Sequence, residues 1–162
     1  MPRTWRWFAL SAALVVADQL TKWAVMGYFA NRSPREEITG FFNLVLVYNK
    51  GAAFSMLADA PGWQTPVLVI FALVASAVVG TLIVRNPHER LLCFGLALIL
   101  GGALGNLIDR LRFGQVVDFL DFHAMGWHWP AFNVADSAIT VGAVVLILEG
   151  FFPHARRAGA PS

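Results

Sequence analysis

Residues 60–84 contain no charged side chain. A helix crosses the roughly 30 Å hydrocarbon core of a bilayer with about 20 residues, so this run alone is long enough to span one. Pro61, Gly62 and Pro66 crowd its start. Proline breaks a helix interior, which places the membrane part at about 67–84. Three other runs qualify. One is about 7–29, interrupted by Asp18 and Lys22. Another is 91–109, uncharged until Asp109 and followed by Arg110. The last is 133–152, with Asp136 near one end and Glu149 near the other. The chain has no 20–50-residue repeat and no low-complexity segment. The expectation is a single membrane-embedded domain over 1–162.

Composition supports that class. Hydrophobic residues make up 57% and charged residues 14%, where a soluble domain carries about 25% charged. A soluble chain this small needs more polar surface than these residues supply. That argues against a soluble enzyme, a disordered chain and a nucleic-acid binder. The formal charge of +2 comes without a polybasic tract. Cys93 stands alone and reads as a small hydrophobe. The first run has features of a cleaved signal peptide, with Arg3 and Arg6 ahead of an apolar stretch 7–17. Apolar character resumes after Asp18 and continues to Ala30, which favours a retained span.

Lysine and arginine placement sets orientation. Arg3 and Arg6, Arg85 and Arg90, and Arg156 and Arg157 flank the spans on one side. Both termini are therefore expected in the cytoplasm, with residues 31–64 and 111–130 outside. Within those outer segments, 38–48 and 116–122 read as short strands. Residues 60–64 read as a lid. Trp63, Trp127 and Trp129 fall near interfaces, where indoles prefer to sit.

Intramembrane carboxylates are costly and mark function. Asp18, Asp109, Asp118, Asp121 and Asp136 are expected at one level, the outer face, while Glu149 sits at the inner end. Each also has a structural reading. Asp18 and Lys22 are four apart and can pair. Asn106, Asp109 and Arg110 share a helix face. Gly101 and Gly105 form a packing GxxxG. Asn133 and Asp136 have capping spacing. Together on one side they read as a polar site. No Ser–His–Asp arrangement is suggested. His123 and His128, five apart, lack the usual zinc spacing and read as interfacial aromatics, so no metal or cofactor is expected. A transporter would bury its acids near the bilayer midplane, and a scaffold has only the glycine-rich third helix in its favour. What remains is a pair of aspartates sharing one proton. One activates water and the other hydrogen-bonds the scissile carbonyl. Asp118 and Asp121 fall on opposite faces of a strand, so at most one of them can face Asp136.

Five blocks lie in order along the chain: Asp18-Gln-Leu-Thr-Lys22, Asn49-Lys-Gly-Ala-Ala-Phe-Ser55, Gly101-Gly-Ala-Leu-Gly-Asn-Leu-Ile-Asp-Arg110, Val116-Val-Asp-Phe119 and Phe132-Asn-Val-Ala-Asp-Ser137. In sequence and spacing they resemble the bacterial lipoprotein signal peptidase (signal peptidase II) family over about residues 5–150. The resemblance implies an aspartic endopeptidase of the bacterial inner membrane. It would cleave diacylglyceryl-modified prolipoproteins on the N-terminal side of the lipidated cysteine. It implies Asp118 and Asp136 as the catalytic pair. It implies Asp18, Lys22, Asn49, Gly51, Asn106, Asp109, Arg110, Asn133 and Ala135 as substrate-binding or supporting residues. Expected partners are the prolipoprotein, membrane lipids and globomycin-like cyclic peptide inhibitors, and no nucleic acid. The implied fold is mainly α: an integral membrane bundle of four transmembrane helices with a small extracytoplasmic β-sheet and a short surface helix.

Overall fold

The computed structural model describes residues 4–51 and 62–151. Four helices, α1 (Trp5–Phe29), α2 (Gln64–Arg85), α3 (Arg90–Phe113) and α4 (Val134–Phe151), are each long and apolar enough to cross a membrane. Between them lie four strands: β1 (Arg35–Thr39), β2 (Phe42–Asn49), β3 (Val116–Ala124) and β4 (Trp127–His128). The strands are adjacent in sequence order, β1-β2-β3-β4, and each pairs antiparallel with the next. No separate surface helix stands among the described residues. The expected lid at 60–64 lies partly outside them.

Helix α3 is the axis of the bundle. In its apolar window 61% of residues are buried, against 22%, 11% and 17% for α1, α2 and α4. Glycine makes that possible, because it lets backbones approach closely. A Cβ at Gly101 would stand 2.9 Å from the Leu14 side chain of α1. At Gly102 it would stand 2.3 Å from the Ala135 carbonyl oxygen of α4, and Gly95 meets Gly142 in the same way. The expected packing role of Gly101 and Gly105 thus holds, with Gly105 letting the Asp18 carboxylate of α1 and Ala135 of α4 come close. Near the α2–α3 connection, Ile83, Cys93, Leu96, Ala97 and Leu100 form an apolar core with Trp7 and Leu10. At the other end Val25, Phe29 and Phe119 pack with Leu44, Leu46 and Val134 and fasten the sheet to the helices.

Several element ends differ from the sequence reading. Helix α2 starts at Gln64 rather than 67, because Pro66 falls in the first turn, where the missing N–H costs little. Helix α3 runs past Asp109 and Arg110 to Phe113 and stops at Gly114, whose φ of 72° suits glycine. The run 38–48 is a hairpin rather than one strand, turning at Gly40 and Phe41, and Arg35–Thr39 supplies its first strand.

Candidate active site

Lys22 lies at the centre of a buried polar frame and is 1% exposed. One turn of α1 separates it from Asp18, and its ammonium lies 2.8 Å from that carboxylate. It lies 2.8 Å from Asp109 of α3 and donates to Asn106 Oδ1 at 3.0 Å. An ammonium has three protons, so all are used. The carboxylates have further donors. Asp18 accepts the Ala135 backbone N–H at 2.9 Å. Asp109 accepts the Val117 N–H at 3.1 Å and the Gln19 side-chain amide at 2.8 Å. Buried charges persist when paired and hydrogen-bonded in this way. The frame ties α1, α3, β3 and α4 together.

Asn133 caps α4. Its Oδ1 accepts the Asp136 N–H at 2.8 Å, and Asp136 Oδ2 accepts the Asn133 N–H at 3.3 Å, a reciprocal capping box. The structural reading of this motif is therefore correct, and the same residues also build the polar centre. Asn133 Nδ2 donates to Asp118 Oδ1 at 2.7 Å. Asn49 of β2 donates to Asp118 Oδ2 at 3.1 Å. Asn106 donates to Asp136 Oδ1 at 2.7 Å. Each of the four carboxylate oxygens on Asp118 and Asp136 thus accepts one N–H. Asp118 is buried, and Asp136 is half-buried. Burial, and next the neighbouring charge of Asp136, push the Asp118 carboxyl from 3.8 up to about 7 against the pull of Asn49, Asn133 and Lys22. A buried acid beside a second carboxylate ionises reluctantly, and such a pair can move a proton to or from a bound reactant.

Arg110, on the same turn as Asp109, donates to the Gly51 carbonyl at 2.8 Å, and the Gly51 N–H donates to Asn49 Oδ1 at 2.9 Å. Arg110 thereby steadies the strand end that presents Asn49. Asp121 is not part of this centre. Alternation along β3 turns it to the other face, where it accepts from Asn43 at 2.7 Å and meets His128 Nδ1 at 2.9 Å. Burial alone would raise its carboxyl, but Asn43, His128 and Arg35 hold it below the usual range. It is buried on that other face. Of the five expected acids, four converge and Asp121 stands apart. His123 and His128 stack at 4.9 Å across the β3–β4 hairpin. Among the described residues no group of three or more His, Cys, Asp or Glu is placed to hold a metal ion. Sequence reasoning missed Gln19 and Asn43. Gln19 sits three residues before Lys22, on the same side of α1, which was a usable signal. Asn43 lies among apolar strand residues and gave none.

A four-span bundle with paired carboxylates and a neutralising lysine gathered at one end is the architecture of an integral membrane hydrolase. The family model described as signal peptidase (SPase) II matches residues 10–152. A relative named lipoprotein signal peptidase, from Paraburkholderia phytofirmans, is 55% identical over 143 residues, covering 88% of this chain and 83% of the relative. One of the same name from Burkholderia thailandensis is 54% identical, covering 88% and 86%. Two solved structures described as bacterial membrane enzymes superpose with TM-scores of 0.80 and 0.76. The first is 24% identical and covers 97% of this chain and 94% of its own, which shows the fold. The second is 25% identical and covers 93% and 94%. The chain belongs to the signal peptidase II family and is a membrane-embedded peptidase.

Proposed function

We propose that this chain, acting as one membrane-embedded domain, cleaves diacylglyceryl-modified prolipoproteins on the N-terminal side of the lipidated cysteine, with Asp118 and Asp136 as its catalytic pair. The pair carries one shared proton. The ionised member takes a proton from water while the protonated member hydrogen-bonds the scissile carbonyl oxygen and then protonates the departing amine. The observation that carries this reading is that Asn133 bridges the two acids, its side-chain amide donating to the Asp118 carboxylate and its backbone N–H to the Asp136 carboxylate. Asn49, Asn106 and Asn133 hold the two carboxylates. Asp18, Lys22, Asp109 and the Ala135 N–H brace them from behind. Gly51 and Arg110 fix the strand end beside them. A globomycin-like cyclic peptide would occupy the same centre.

The basic residues at the α1 start and around the α2–α3 connection support an orientation with both termini in the cytoplasm of an inner membrane. The acid pair then opens toward the periplasm, where a lipid-bearing cysteine would present its preceding bond. The test is the initial cleavage rate of a lipidated precursor by purified Asp118→Asn and Asp136→Asn. Each should fall by at least the roughly 10²–10⁴-fold typical of a general acid–base group. Near-normal turnover in either folded variant removes that residue from the pair.

A further inference from the structure

Holding Asp118 does not explain the far end of the sheet. The β1 edge carries Arg35, Glu36 and Glu37, the charges that normally blunt an exposed edge. The opposite end carries none: neither 39–49 nor 122–132 contains Asp, Glu, Lys or Arg. The turn at Gly40–Phe41 and the turn at Met125–Gly126 lie side by side. Phe42 faces Phe122 across β2 and β3, and the His123 N–H donates to the Phe41 carbonyl at 2.9 Å. Large apolar side chains crowd there in the open. Phe41 is 60% exposed, Trp127 62% and Trp129 45%, and Met125 is fully exposed. Phe122 stacks on Phe132 at 5.9 Å, and Trp127 meets Trp129 edge-on at 5.7 Å. Between Phe41, Phe122, Trp127, Trp129 and Phe132 lies an open cavity of about 420 Å³.

A contiguous exposed apolar patch marks an interaction surface, and its position indicates the partner. Phe132 is hydrogen-bonded to the backbone of Leu120, and α4 starts two residues later at Val134. The Phe132 side of the patch is therefore two residues from the start of a spanning helix, at the height where that helix leaves the bilayer. Indole rings favour that layer because one end is apolar and the other can hydrogen-bond. We propose that the two turns and β4 form a lipid-seated edge that enters the interfacial layer of the bilayer the helices cross, with Phe41, Met125 and Trp127 among the lipids. Asp118 precedes Phe122 by four residues on β3, about 13 Å at strand spacing, so seating this edge sets the depth of Asp118. The proposal does not depend on the catalytic assignment of that aspartate.

The test places a nitroxide label on Met125→Cys, on Phe41→Cys and, as a control on the charged edge, on Glu37→Cys. All three are made in a Cys93→Ala background and reconstituted into phosphatidylethanolamine–phosphatidylglycerol vesicles. Relaxation by oxygen, which concentrates in lipid, is compared with relaxation by a water-soluble nickel chelate. The Met125 and Phe41 labels should favour oxygen several-fold over the Glu37 label. Using both turns keeps the test decisive if one variant does not fold. Labels at 41 and 125 that meet the chelate as freely as the one at 37 overturn the proposal. Protection from both reagents with spin–spin broadening also overturns it, since a second copy of the chain would then cover the edge.

Discussion

Amide orientation in this site is dictated rather than free. Lys22 can only donate, so Asn106 must turn its oxygen toward it, and the Asn106 N–H₂ group is left for Asp136. Lys22→Met would leave Asp18 and Asp109 facing each other without a cation, and breaking a buried pair costs roughly 3–5 kcal/mol. Adding Asp109→Asn should recover part of that loss, measured by thermal unfolding in detergent. Asp109→Asn alone removes one brace and no reacting group, so cleavage should be reduced without the full loss of Asp136→Asn. The pH dependence follows from Asp118. Its folded value near 7 exceeds its ordinary 3.8. Between those values the folded chain keeps a proton that the unfolded chain releases, so stability falls as pH rises through that window. Asp118→Asn should flatten this fall in melting temperature between pH 5 and pH 8. An unchanged slope would mean that the carboxylate titrates normally. Asp121 has the opposite sign, since its lowered value adds stability that disappears on acidification. The separation of Asp118 from Asp121 was legible because strand periodicity is strict. The capping role of Asn133 was legible in its spacing from Asp136, but its bond to Asp118 and the bonds of Asn106 to Lys22 and Asp136 were not, because those partners come from other elements.

At the scale of elements, close helix contact is a stronger constraint than apolar content. A methyl at Gly102 would strike the Ala135 carbonyl, which is backbone and cannot swing aside. Gly102→Ala should therefore cost at least the roughly 1–3 kcal/mol of an overpacked core and should disturb the Ala135 N–H that feeds Asp18. Gly27→Ala is the control. Nothing lies within 4 Å of that position, so helix propensity alone acts and the change should stabilise by about 0.5–1 kcal/mol. Thermal unfolding of the two variants side by side checks both signs. The helices were readable because lipid demands long uncharged runs. Their ends were less so. Asp109 and Arg110 look like a stop signal in sequence, yet both find partners inside the fold, and Gly114 is the true terminator. The hairpin at Gly40–Phe41 was hidden because its first strand is made of charged residues that carry no apolar alternation.

For the whole molecule, the proposed orientation puts both ends of the chain on the cytoplasmic side, the side that the positive-inside rule favours for the basic residues. A reporter that matures only outside the cytoplasm, fused after Ser162, should stay silent, and a bright signal would mean an odd number of crossings. Class was legible at this scale from hydropathy alone. The inside-out arrangement was not, because the packing that sinks Lys22, Asp18 and Asp109 into the centre while Trp23 and Phe71 face outward depends on partners brought from α3, β3 and α4. The Asp18–Lys22 spacing has one more consequence, for biogenesis. As the chain is synthesised, α1 must partition into lipid long before Asp109, about ninety residues later, exists to receive it. Each lone charge at a helix centre costs roughly 2.5–3.5 kcal/mol to insert. Because the acid and the base are four residues apart on one helix, they can neutralise each other during that wait. The nascent segment thus carries its own temporary counterion, and Asp109 takes its place beside the pair once the third helix arrives.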